Sequence, residues 1–135
     1  MSITTTIESV AAGGAGVGRL PDGRTVFVHR TAPGEKVEIR VTEEKRRWAR
    51  GSLVAVRDAS PERRSAPCPF YARCGGCTLE HIEYDAQLRV KSRIAADALR
   101  RIGGLELEAP EVTPSPREFR YRNRVSFTLL RLGAD

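Results

Sequence analysis

The chain has 135 residues, 40% hydrophobic and 30% charged, which sets it apart from disordered chains and allows one ordinary domain or two very small ones. Its formal net charge is +6 and its isoelectric point about 9.8, a balance that favours a polyanionic partner such as nucleic acid or an anionic membrane surface. It has no run of about 18 apolar residues, so no membrane span is expected. The opening MSITTTIESV also lacks the basic start and apolar stretch of a secretory signal, so the expected compartment is the cytoplasm.

Residues 1–60 read as strand and turn. Thr4, Thr5, Thr6, Ile7 and Val10 are β-friendly and lead into Gly13-Gly14-Ala15-Gly16-Val17-Gly18, which reads as a barrel turn. That glycine run is not a dinucleotide-binding fingerprint, because no strand, glycine loop and helix follow one another there. Pro21-Asp22-Gly23 and Pro33-Gly34 are turn signals on either side of a strand at Thr25–Val28. Val37, Ile39 and Val41 alternate with Glu38 and Arg40, as in a half-buried strand. A last strand runs from about Trp48 to Val56, with Leu53, Val54 and Val56 as core candidates. Short strands at this spacing predict a small barrel rather than an open sheet.

Ala59-Ser60-Pro61 breaks the strand pattern and marks the expected domain boundary. Residues 61–83 form a cysteine-rich segment with the pattern Cys68-x5-Cys74-Gly75-Gly76-Cys77. In a reducing compartment three cysteines cannot all pair, so metal binding is favoured over a disulfide framework. The two glycines allow a tight turn that aims Cys74 and Cys77 the same way, and their amides can approach cluster sulfurs. Thiolates suit both zinc and iron–sulfur centres. A tetrahedral zinc site would take His81 as its fourth ligand, and spacing alone tips slightly toward zinc.

Residues 84–135 open with a helix predicted from Tyr84 to Ile102. Tyr84, Leu88, Ala95, Leu99 and Ile102 share one face, with Lys91 filling the missing step. Gly103-Gly104 is its stop signal. After a proline-containing loop, Val125–Leu132 reads as a strand, leading to the expectation that the chain is a truncated N-terminal portion of something longer. Two basic clusters stand out: Lys45, Arg46, Arg47 and Arg50, and the arginines between Arg117 and Arg131. The fold class is therefore mostly β with one helix.

The run CPFYARCGGCTLEHIEYDAQLRVKSRIAADALRRIGGL resembles the cluster segment of the TRAM-containing RNA (uracil-C5)-methyltransferases. GAGVGRLPDGRTVFVHRTAPGEKVEIRV resembles their N-terminal TRAM domain, an OB-like β-barrel that binds RNA, and FRYRNRVSF resembles the start of their α/β central domain. The resemblance implies structured ribosomal or transfer RNA as partner, ribosomal RNA foremost. It also implies a [4Fe–4S] cluster held by Cys68, Cys74 and Cys77, with a fourth cysteine further along than this chain reaches; His81 then becomes a neighbour rather than a ligand. Glu80 stands where glutamine is commoner in the family, a difference not expected to abolish binding. S-adenosylmethionine, the catalytic cysteine and the general base belong to a further, Rossmann-like domain of the family, so no catalytic residue is assigned here.

On an OB-like barrel, RNA contact calls for a basic groove and exposed aromatic faces. Phe27, His29 and Trp48 are candidates for stacking, and Lys45, Arg46, Arg47 and Arg50 for phosphate contact; barrel core is the alternative place for Phe27 and Trp48. Arg120, Tyr121, Arg122, Asn123 and Arg124 form a second set, or else an exposed strand edge. Two other readings stand beside the main one. The chain could be a stand-alone TRAM RNA-binding module, or a small zinc-binding protein using Cys68, Cys74, Cys77 and His81.

Overall fold

The computed structural model describes residues 2–126. Five strands, β1 (Ile3–Val10), β2 (Ala15–Arg19), β3 (Thr25–His29), β4 (Lys36–Glu44) and β5 (Trp48–Asp58), close into a barrel in the order β1-β2-β3-β5-β4, with β4 returning to β1. All pairings are antiparallel except β3 with β5, which is parallel. This is the OB-like architecture, mostly β with one helix, and closure leaves no free sheet edge.

The strand pattern explains the core. Ile7, Val26, Val28, Val37, Ile39 and Ala49 are fully buried, and Leu20 nearly so. Val26 and Val28 take the inward positions of β3, so Phe27 between them faces out. On β5, Leu53 and Val56 pack on the core as expected, but Val54 is 48% exposed. The ladder explains the difference: Glu38 pairs with Ala55 and Ile39 with Leu53, so Val54 is the extra residue of a bulge.

β2 departs from the sequence expectation. Only Gly13 and Gly14, with φ of 93° and 85°, make the turn; Ala15–Arg19 is a strand. Its glycines serve close packing, since a Cβ on Gly16 would stand 2.0 Å from the Thr31 hydroxyl. Glycine-rich sequence hides such a strand because it supplies no side chains to alternate.

One helix, α1 (Tyr84–Gly103), follows the cysteine segment and ends at Gly104 in the left-handed conformation. Its buried residues are Ala86 and Val90, not the Tyr84–Leu88–Leu99 stripe; Leu99 is 37% and Ile102 88% exposed. Ala86 packs with Ile82 and with Ala32 of the β3–β4 loop in a second small core, supported by Leu79. A helix whose own docking site is this short offers its small residues to the barrel and leaves its larger apolar ones elsewhere. Of the strand expected at Val125–Leu132, Val125 and Ser126 are exposed and not in a strand, and the rest lies outside the described residues.

The segment after β5 is tied back to the barrel by Glu35, whose side chain is fully buried. Its carboxylate accepts hydrogen bonds from the Ala32 amide at 2.8 Å, the Ser60 amide at 3.4 Å and both Nε and Nη2 of Arg63, the latter at 2.8 Å. Arg63 also donates to the Arg30 carbonyl at 2.8 Å and bridges to Ile82. Burial opposes ionisation of Glu35, but the Arg63 guanidinium and the Ala32 amide outweigh it and hold the carboxyl below its ordinary value of 4.5.

Glu35→Gln should therefore destabilise the fold by about 3 kcal/mol, the lower end of the cost of breaking a buried pair, because Arg63 keeps some contact with water. The folded-state value lies below the unfolded one, so this stabilisation is complete above pH 4.5 and is lost as pH falls through the depressed value. Urea unfolding at pH 7 and at acid pH checks both: the wild type should lose stability on acidification and Glu35→Gln should lose less.

Candidate functional site

The parallel pairing of β3 with β5 sets Thr25 beside Trp48, Val26 beside Ala49 and Phe27 beside Arg50. Since Val26 and Ala49 point inward, Phe27, Trp48 and Arg50 share the outer face. The rings of Phe27 and Trp48 meet edge to face, with centroids 6.1 Å apart and planes at 73°. The Arg50 guanidinium lies over the Trp48 ring, 5.3 Å from its centroid. With His29, Thr42 and the Ala11–Gly13 turn they line an open groove. Thus four of the residues singled out for RNA contact, Phe27, His29, Trp48 and Arg50, lie together, and Phe27 and Trp48 are half-buried beside the groove rather than in the barrel core.

The β4–β5 hairpin places Lys45, Arg46 and Arg47 at its exposed tip, next to this groove; the turn is closed by the Lys45 amide donating to the Trp48 carbonyl at 2.8 Å. Glu43 pairs with Lys45 at 3.2 Å and with Arg50 at 3.4 Å. These side chains are well exposed, so the pairs are weak tethers that a phosphate can displace. Among the described residues, no carboxylate pairs with Arg46 or Arg47.

A second groove runs between α1, the cysteine loop and the chain around Arg117–Arg122. Arg120, Tyr121 and Arg122 line it with Arg64, Lys91 and Arg117; Asn123 and Arg124 are exposed but do not line it. Arg122 lies over the Tyr121 ring at 5.9 Å, and Arg64 is held by Glu118. Here lies the Tyr84–Leu88–Lys91 face of the helix. Lys91 was the signal: a cation inside an apolar stripe marks a face that borders solvent. Nothing in local sequence pointed to Arg64.

The cysteine loop is folded on its own backbone. The Cys74 amide donates to the Phe70 carbonyl at 2.8 Å, and the Gly76 amide points at the Cys74 sulfur at 3.4 Å. The buried Glu80 carboxylate accepts from the Cys68 amide at 2.8 Å. Cys74 and Cys77 are exposed and Cys68 is half-buried; all three are free thiols. Burial, then the charges of Glu80, Cys68 and Cys74, push the Cys77 thiol above its ordinary value. The donor type of the three thiols fits a soft metal centre. Among the described residues, however, no three His, Cys, Asp or Glu side chains converge as a metal cage.

His81 is turned inward, 3% exposed. The Tyr71 hydroxyl lies 2.6 Å from its Nδ1 and 3.1 Å from the Thr78 carbonyl, while Nε2 has no partner among the described residues. A zinc centre using His81 would have to draw it out of this setting. Gly14 of the barrel packs so tightly on Thr78 that a Cβ there would stand 2.5 Å from the Thr78 Cβ, so the glycine turn and the cysteine loop form one seam.

Residues 3–54 match the family model described as TRAM domain. The chain is 42% identical over 125 residues to a protein of Aquifex aeolicus named uncharacterized RNA methyltransferase, covering 92% of this chain and 29% of that one. It is 44% identical over 118 residues to the 23S rRNA (uracil(1939)-C(5))-methyltransferase RlmD of Pseudomonas putida, covering 87% and 26%. A crystal structure of Pyrococcus abyssi tRNA (uracil-54, C5)-methyltransferase with S-adenosyl-L-homocysteine is a looser likeness: 29% identity, 84% of this chain, 24% of that one, TM-score 0.49. The chain thus spans under a third of the length of the relatives it matches.

Burial, with the positive charges of Arg63 and Arg30 acting in the same direction, holds His81 below its ordinary value of 6.5. The unfolded chain therefore binds a proton that the folded chain refuses, and stability should decline as pH falls below 6.5 toward the depressed value. An NMR titration of the His81 ring protons should give a midpoint under 6.5. A midpoint at or above it would mean that the ring is not held neutral in the core.

Proposed function

We propose that this chain is the RNA-binding portion of an RNA uracil-C5 methyltransferase acting on ribosomal RNA, since residues 3–54 match the TRAM domain model and the chain is similar to proteins named RNA methyltransferase. The groove of Phe27, His29, Trp48 and Arg50 carries this reading. Aromatic faces beside an open basic groove suit unpaired bases, which stack on them, while the Lys45–Arg50 cations neutralise the backbone. Arg120, Tyr121 and Arg122 offer a second contact area in the other groove.

The same reading gives Cys68, Cys74 and Cys77 to a [4Fe–4S] cluster. Their spacing in sequence and the Gly76 amide aimed at the Cys74 sulfur support it. If bound, such a cluster would serve as a crosslink between the residues that hold it rather than as a redox catalyst, since methyl transfer moves no net electrons. Glu80 would hold the first ligand's backbone in place through the Cys68 amide. Uracil C5 is a poor nucleophile; its methylation from S-adenosylmethionine calls for a cysteine adding at C6 and a base removing the C5 proton. With all three cysteines committed to the cluster, residues 1–135 contribute binding and not that step. The cytoplasm, where thiols stay reduced, suits this assignment.

Fluorescence anisotropy with a labelled, structured ribosomal RNA fragment should give affinity that falls steeply with salt, about 0.7–0.9 in log–log slope for each phosphate contacted. Trp48→Ala should weaken binding by about 5- to 100-fold, the range of one lost base stack, without loss of thermal stability of the same order. A flat salt response and an unaffected Trp48→Ala together would sink the interface. Anaerobic preparation of the full chain should yield brown protein with iron and sulfide, lost in Cys74→Ser; colourless protein carrying one zinc would overturn the cluster assignment.

A further inference from the structure

We infer that Arg30 is an RNA-phosphate-binding residue that joins the aromatic groove to the cysteine loop; this rests on the RNA-binding reading above and adds a contact that charge clustering does not reveal. Arg30 stands alone in sequence, flanked by His29 and Thr31, and belongs to neither basic cluster.

Its backbone is the first signal. Arg30 has a φ of 64°, in the left-handed region that arginine rarely occupies, at the end of β3. The strain is held by the buried anchor: Arg63, itself paired with Glu35, donates to the Arg30 carbonyl at 2.8 Å. Glycine or asparagine would sit there with less strain, so the backbone does not call for arginine. Strained residues persist where the side chain they aim has work to do.

The side chain is the second signal. Arg30 is exposed, and its guanidinium lies over the Tyr71 ring, 6.0 Å from the centroid. Tyr71 is fixed from below through its hydroxyl, between the Thr78 carbonyl and His81. Among the described residues no carboxylate pairs with Arg30. A guanidinium stacked on a ring keeps its N–H edge free, and that edge matches two phosphate oxygens at once.

Position is the third. His29, the preceding residue, lines the aromatic groove, while Tyr71 belongs to the cysteine loop. A strand leaving the Trp48 platform toward that loop would pass the guanidinium, which is already oriented and, among the described residues, free of an ion-pairing carboxylate.

The test uses the full chain, a fluorescein-labelled single-stranded RNA 12-mer of mixed sequence, and the variants Arg30→Gly, Arg30→Asn and Arg30→Lys. Arg30→Gly and Arg30→Asn should keep or raise the melting temperature, weaken RNA binding by about fivefold and flatten the salt slope by about one phosphate contact. Arg30→Lys should restore the slope and only part of the affinity. If the wild type binds and the Gly and Asn variants match it in affinity and slope, Arg30 is not a contact and only this inference falls. If both variants melt earlier and affinity drops in step with stability, Arg30 is structural and the inference is again overturned. If the wild type binds no RNA at any ionic strength, the proposed function itself fails and takes the inference with it.

Discussion

The buried carboxylate of Glu35 is the point on which the rest of the molecule is hung. A closed five-stranded barrel has few surfaces to offer a neighbouring loop, because its apolar side chains are already turned inward. The chain after β5 carries little apolar bulk of its own, and its second core consists of Ala32, Ile82 and Ala86 with Leu79 alongside. So small a cluster cannot by itself fix where the cysteine loop sits. Glu35 adds a directional constraint that apolar contact lacks. It closes its own turn through Ala32, receives the chain at Ser60 and grips Arg63 with both oxygens. An ionised group with no exposure is tolerated only because each of its oxygens is occupied.

From that anchor the site follows in two directions. Arg63 fixes the end of β3 through the Arg30 carbonyl, and with it the edge of the aromatic groove. It also lies opposite Ile82, beside His81, which sets the far end of the cysteine loop. Tyr71, Thr78 and His81 form the loop's inner wall, and Gly14 lets the barrel close onto it. The thiols are partly in water, Cys74 and Cys77 exposed and Cys68 half-buried. Burial and the charges around it raise the cost of ionising the Cys77 thiol, a cost that a bound cation would offset.

Much of this was legible in the residues themselves. The alternation of Val37 and Ile39 and the turns at Gly23 and Gly34 carry the barrel, since side-chain parity and positive φ are local properties. The cations of the β4–β5 hairpin and the rings of Phe27 and Trp48 could be named as candidates for an exposed face, and parity along β3 already turns Phe27 away from Val26 and Val28. What stayed hidden depended on partners distant in sequence. β2 has almost no side chains to betray it, and the bulge at Val54 exists only in the register with β4. The buried face of α1 is set by the small core around Ala32 and Ile82, where Ala86 packs and the leucine stripe does not. Glu35 reads as one acid among many until Arg63, 28 residues later, folds against it.

The parallel pairing of β3 with β5 has a bearing on how such a surface can diversify. Phe27, Trp48 and Arg50 are spaced by the rise of two hydrogen-bonded strands, so their geometry is inherited from the backbone and not from any loop. The hairpin tip at Lys45–Arg47 contributes charge and almost no packing. Grip and aim are therefore written in separate stretches of chain. Changing the three hairpin cations would alter the charge this face presents while leaving the aromatic platform in place.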